Sequence, residues 1–133
     1  MKQVFCFVAL LLAAANAYAQ LTVGVSPVKL AGQKAIVPLA LKNNFGEKIE
    51  SARAAVLLLD EQGKMVGQGA KWVIDGNQRT AGLAAGATNV FHFVITSETP
   101  FASTNLMPKI TFTRVVLEGG KLADPTKDVV IQK

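Results

Sequence analysis

From Leu21 onward, apolar and polar positions alternate with a period of two, in short runs that turn residues separate. Alternation of this kind is typical of β-strands, because successive side chains of a strand point to opposite faces of a sheet. Thr88–Thr96 is the clearest example, and the side that carries Phe91, Phe93 and Ile95 is its predicted core face. The predicted strands, in chain order, are Leu21–Leu30, Lys34–Lys42, Ile49–Asp60, Lys64–Ile74, Thr88–Thr96, Lys109–Glu118 and Val129–Ile131. These segments, with no convincing helix among them, predict an all-β antiparallel β-sandwich.

One segment permits two interpretations. Ala54–Leu59 is apolar on both faces, and its alanine and leucine residues would suit a buried helix. The sequence Asp60-Glu61-Gln62-Gly63 follows at once and predicts a type I turn closed by a left-handed glycine. We therefore interpret the segment as a strand of a hairpin.

Glycine and proline add two local expectations. Gly67 and Gly69 predict a bulge in the strand that returns from the hairpin. Pro27 has no amide hydrogen, so it predicts that Leu21–Leu30 is an edge strand or contains a bulge. We expect this segment and Val129–Ile131 to form the edges of the sandwich.

The first 19 residues have the features of an export signal. Lys2 precedes the apolar run Val4–Ala15, and Ala17-Tyr18-Ala19 provides the small residues that a signal peptidase reads. The uncharged stretch is shorter than the roughly 20 apolar residues of a membrane-spanning helix. Cys6 lies inside the run, whereas a lipoprotein needs a cysteine just after it. We expect a cleaved signal peptide at 1–19, a single domain at 20–133 and no membrane span after cleavage.

Cysteine usage and charge restrict the environment and the partners. Residues 20–133 contain no cysteine, so the domain folds without a disulfide, and with the short signal this predicts a periplasmic or secreted bacterial protein. Lys2 is one of the 14 basic residues, so 13 basic and nine acidic residues leave the domain a formal charge of +4. No two basic residues are adjacent, which favours a soluble surface over a binding patch and predicts no nucleic-acid partner. A basic surface that binds or inhibits an anionic glycan or lipid ligand is the alternative.

Three stretches carry a resemblance to a known group of domains. They are Val56–Asp60 followed by Gly63, Leu83–Gly86 followed by Phe91, and the asparagine pair Asn43-Asn44. Together they are similar to bacterial extracytoplasmic immunoglobulin-like domains of the FxLYD kind, with Val56 and Leu59 in place of that group's aromatic residues. The resemblance implies an immunoglobulin-like β-sandwich of about seven strands that serves as a non-enzymatic module, and it supplies no catalytic residues.

The polar residues of the domain do not match the pattern of a known catalytic or metal-binding site. His92 is its only histidine, so neither a catalytic triad nor a zinc site of histidine and cysteine ligands is indicated. The acidic residues lack the spacing of a calcium-binding loop and fall mostly at predicted turns. We expect a protein that is not an enzyme, with no metal or cofactor, and with His92 on the surface or on the second face of its sheet.

Three aromatic residues are the candidate partner-binding residues. Trp72 has two interpretations, an exposed residue that stacks on a sugar or anchors a protein partner, and a core tryptophan of the sandwich. Phe45 and Phe101 lie in predicted loops and either bind a partner or cap the core. We expect an exported binding or structural module of the bacterial envelope that engages an unidentified protein partner through edge strands or loops.

Overall fold

A computed structural model describes residues 20–75 and 82–132, so the expected signal peptide at 1–19 lies outside the described residues. Eight strands form: β1 (Leu21–Val25), β2 (Lys29–Ala31), β3 (Lys34–Asn43), β4 (Ile49–Leu59), β5 (Met65–Ile74), β6 (Thr88–Thr96), β7 (Met107–Leu117) and β8 (Val129–Gln132). A single 3-10 turn at Glu118–Gly120 is the one helical segment within the described ranges. The all-β prediction is therefore confirmed for this part of the chain.

The strands form two sheets. In the first, β6 pairs along most of β3, and β1 and β2 pair with the two ends of β3 on its other side. The short strand β8 joins this sheet by pairing with β1 in parallel. The second sheet has the order β5-β4-β7, and both of its pairings are antiparallel.

One hydrophobic core lies between the two sheets. The buried side chains of β4, such as Val56 and Leu58, belong to the same cluster as Phe93 and Ile95 of β6. Gly67 and Gly69 of β5 allow close approach here, since a Cβ at Gly69 would lie 3.3 Å from the Phe93 ring. The predicted core face of β6 is confirmed, with Phe93 and Ile95 buried and Phe91 half-buried.

A buried asparagine connects two loop segments beside the core through hydrogen bonds. Asn43 is fully buried, and its Nδ2 donates hydrogen bonds to the carbonyl oxygens of Glu47 at 3.0 Å and Leu83 at 2.9 Å. Its Oδ1 accepts a hydrogen bond from the Phe45 N–H at 2.8 Å. The side chain therefore satisfies polar groups of the β3–β4 loop and of the segment that leads to β6.

Several local expectations can now be assessed. Ala54–Leu59 is part of strand β4, and Gly63 closes the following turn with a φ of +79°, as predicted. The prediction that Leu21–Leu30 is an edge strand is wrong for β1, because β3 and β8 flank β1 on both sides. The segment divides around Pro27 into β1 and β2, which raises the number of strands to eight. Val129–Ile131 does lie at an edge, as part of β8.

Candidate functional site

An apolar groove opens between the two sheets beside the first half of β7. Its volume is about 610 Å³, and the lining comes from both sheets. The side chains that define it are Val25, Leu59, Met107, Lys109, Ile110 and Ile131. Lys109 is the one charged residue of the lining, and it is exposed at the rim of the groove.

The groove borders an unpaired edge of β7. One edge of β7 pairs with β4, and near its end the other edge is occupied, because Leu117 donates to the Lys121 carbonyl and Ala123 donates to the Val115 carbonyl. Between Met107 and Arg114 this second edge has no strand partner within the described ranges. Pro108 has no N–H, so the stretch that offers both donors and acceptors is Lys109–Arg114.

The strand edge that faces β7 across the groove is also open. β8 is the last strand of its sheet and pairs with β1 alone among the described strands. Ile131 of β8 and Ile110 of β7 both line the groove. A segment of chain that entered the groove would therefore meet main-chain groups of β7 and apolar side chains of both sheets.

The outward face of the β5-β4-β7 sheet carries a second feature, which we call the basic aromatic row. Trp72 of β5 is opposite Arg53 of β4, and Arg53 is opposite Arg114 of β7. Neighbouring strands lie about 4.8 Å apart, so the row spans roughly 10 Å across the sheet. Trp72 is 42% exposed, which excludes its interpretation as a core tryptophan.

The row carries the positive charges of two arginines, and it contains no acidic side chain that would neutralise them. Within the described ranges, neither the Arg53 nor the Arg114 guanidinium makes a hydrogen bond or an ion pair. The adjacent row consists of Ala70, Ala55 and Thr111, which are small and uncharged. Arg53 and Arg114, which are far apart in the sequence, thus lie side by side here, and the spacing of basic residues along the chain did not predict this.

Strict alternation along β5 would predict that Trp72 shares a face with Ala70 and Ile74, and this is wrong for Ile74. Ala52 pairs with Ile74 whereas Arg53 pairs with Trp72, so one extra residue of β5, Val73, interrupts the register. The extra residue reverses the alternation. Ile74 is therefore buried while Trp72 and Ala70 are exposed.

The structure does not bring the three candidate aromatic residues together. Phe45 lies in the loop before β4, half-buried against the core. Phe101 is also half-buried, and its ring lies near Gly67, which pairs with Leu58 at the far end of β4. Trp72 is on the outward face, so these residues do not form one surface.

The histidine and acidic side chains of the described residues do not assemble into a set that could hold a metal ion. His92 is exposed on β6, and no group of three or more histidine, cysteine, aspartate or glutamate side chains within 20–75 and 82–132 could hold a metal ion. The pKa of Asp124 is lowered, chiefly because its carboxylate accepts hydrogen bonds from the side chain and the N–H of Thr126. These bonds close the turn before β8, so the shift belongs to local structure.

No helix in the part of the chain that the structure describes is long and apolar enough to cross a membrane. Comparison with protein families, curated proteins and solved structures finds no match to this chain. A functional proposal therefore depends on the groove and on the basic aromatic row.

Proposed function

We propose that this protein is an exported, non-enzymatic, immunoglobulin-like binding module of the bacterial envelope. In this proposal the groove takes up an extended segment of a protein partner, which adds as a strand to the free edge of β7. The observation that carries the proposal is the position of a 610 Å³ apolar groove directly beside an unpaired strand edge. The export features of residues 1–19 support the location in the envelope.

The strand order supports the immunoglobulin-like part of the proposal. In immunoglobulin sandwiches the first, second and fifth strands share one sheet, and the third, sixth and seventh share the other. Leaving aside the short β2, the adjacent strands β1, β3 and β6 match the first set, and β4 with β7 matches the second. Two strands differ. The fourth, β5, pairs with β4 and so lies in the second sheet, and the last, β8, pairs with β1 and leaves the position beside β7 open.

Strand addition uses main-chain hydrogen bonds for affinity and alternate side chains for specificity. Lys109–Arg114 would supply the main-chain groups, and every second side chain of the partner would enter the groove between Ile110 and Ile131. Lys109 at the rim favours a carboxylate next to the apolar residues of the partner. Phe45 and Phe101 pack against the core, so the strand edge suits a partner better than the loops do.

A synthetic peptide provides the test. The probe is a nonapeptide in which valine alternates with threonine between terminal glutamates, and its control is a peptide of the same composition without the alternation. The chain offers a matched pair of variants, because Met107 and Met65 flank Leu59 from opposite sides and are 55% and 49% exposed. Met107→Lys places a charge in the groove, and Met65→Lys places the same charge at the other edge of the sheet.

We expect the alternating peptide to bind the native protein and the Met65→Lys variant with similar Kd values in titration calorimetry. Met107→Lys is expected to weaken binding about tenfold or more, because a bound peptide would have to cover a charged side chain where the native protein has an apolar one. Absence of binding to the alternating peptide would reject the proposal. Equal binding of the two peptides, or an equal loss in the two variants, would reject it as well.

A further inference from the structure

We infer that the basic aromatic row, Trp72–Arg53–Arg114, is a binding site for an acidic polysaccharide. This site lies outside the lining of the groove, although its Arg114 is also the last residue of the β7 edge proposed for strand addition. Arg53 and Leu59 are six residues apart on β4, which corresponds to roughly 20 Å along a strand. The inference therefore does not depend on the strand-addition proposal.

The row places two like charges next to each other. Arg53 and Arg114 are directly opposite each other on neighbouring strands, an arrangement that destabilises a sheet. Neither guanidinium has a carboxylate partner among the described residues. The acid on the same strand, Glu50, accepts a hydrogen bond from the Gly119 N–H at 3.4 Å. A bound anion would remove the repulsion, which accounts for two arginines at these positions.

Arginine and tryptophan side chains together suit an acidic sugar chain. A guanidinium presents a planar fork of donors that matches a carboxylate or a sulfate group. An exposed indole ring offers an apolar surface with a π-face, on which the C–H face of a sugar ring can stack. Trp72, Arg53 and Arg114 provide one stacking surface and two anion-binding groups in line, over about the length of a disaccharide.

The shape of the sheet face around the row also favours a polysaccharide. The neighbouring row of Ala70, Ala55 and Thr111 has short side chains, so a chain can cross the strands without obstruction. A membrane surface would favour clustered lysines and several apolar side chains that insert, whereas this row has one aromatic residue. A nucleic acid would require more cations to neutralise successive phosphates. An acidic polysaccharide fits the spacing best.

Trp72 is the only tryptophan of the chain, so its fluorescence reports the site directly. The probe is polygalacturonate, titrated into the native protein at low salt, with neutral dextran as the uncharged control. The test variants are Trp72→Ala and the double variant Arg53→Gln/Arg114→Gln. The matched control is Lys34→Gln/Lys42→Gln, which removes two exposed charges from β3. Circular dichroism verifies that each variant is folded.

We expect polygalacturonate to shift or quench the Trp72 emission and dextran to leave it unchanged. The double arginine variant is expected to weaken binding at least about tenfold, because it removes two charge-assisted contacts. Trp72→Ala, followed by calorimetry, is expected to weaken binding severalfold, and the lysine control is expected to retain binding. Equal weakening in the lysine control would overturn the inference. So would tighter binding to phosphatidylglycerol vesicles or to an oligo-dT strand than to polygalacturonate, or an unchanged Trp72 emission.

Discussion

Replacing Asn43 with alanine removes the polar group that joins the β3–β4 loop to the segment before β6. The side chain is fully buried and makes three hydrogen bonds, to the Glu47 and Leu83 carbonyls and from the Phe45 N–H. Alanine cannot replace any of them. The Leu83 carbonyl would still accept a hydrogen bond from the Ile49 N–H, whereas the Glu47 carbonyl and the Phe45 N–H would lose the Asn43 side chain as partner.

The expected cost follows from these three bonds. Each hydrogen bond contributes about 1 kcal/mol net, and a buried group left without a partner costs about 1–3 kcal/mol. Asn43→Ala should therefore lower the free energy of unfolding by about 3 kcal/mol. For a domain of this size, 1 kcal/mol corresponds to roughly 3–4 °C in Tm, so the Tm should fall by about 10 °C.

Urea denaturation followed by circular dichroism, with a thermal scan of the same samples, measures this change. Asn89→Ala is the control, since Asn89 is exposed and its Oδ1 accepts a hydrogen bond from the next residue, Val90. That control should change the free energy of unfolding by less than about 0.5 kcal/mol. A loss below about 1 kcal/mol for Asn43→Ala, or equal losses in the two variants, would show that the hydrogen bonds of the Asn43 side chain do not stabilise the fold.

Two further predictions concern turns. Gly82→Ala should destabilise the protein by more than about 3 kcal/mol in urea denaturation, because Gly82 has a φ of +76° and a Cβ there would collide with the Ile49 carbonyl oxygen. Gly32→Ala should cost only about 1 kcal/mol, since Gly32 has a φ of +64° with open space around it, and equal costs would contradict the steric explanation. NMR titration should place the pKa of Asp124 below its ordinary value of 3.8, so its hydrogen bonds stabilise the fold above pH 3.8 and that contribution is lost as the pH falls through the lower, folded pKa. Thr126→Val should raise this pKa, and an unchanged midpoint would show that the hydroxyl has no part in the shift.

Much of the secondary structure is readable from the sequence, because strand alternation and turn residues are local signals. Thr88–Thr96 is predicted with its observed bounds and its core face. The hairpin between β4 and β5 follows from Asp60, whose Oδ1 accepts the N–H groups of Gln62 and Lys64, and from the left-handed Gly63. Such contacts span a few residues, so a single sequence contains the information for them.

The candidate sites depend on information that is not local. Val129–Ile131 reads as a strand, but the sequence does not state that it pairs with β1 instead of β7, and this choice leaves the groove open. The alternation of Arg53 with buried Ala52 and Ala54 indicates an outward side chain. Only the register of three strands shows that Trp72 and Arg114 lie beside it.

Hydrogen exchange at the edge of β7 is the most direct test of whether a partner segment adds to this edge as a strand. The amides of Lys109–Arg114 would be followed by NMR with and without the alternating valine–threonine nonapeptide. If a partner strand adds to this edge, those amides that point away from β4 exchange slowly only when the peptide is bound, while the exposed amides at the far edge of β5 are unaffected. Two results would contradict strand addition to β7. One is protection by the peptide that is confined to another strand, and the other is no protection of Lys109–Arg114 at saturating peptide.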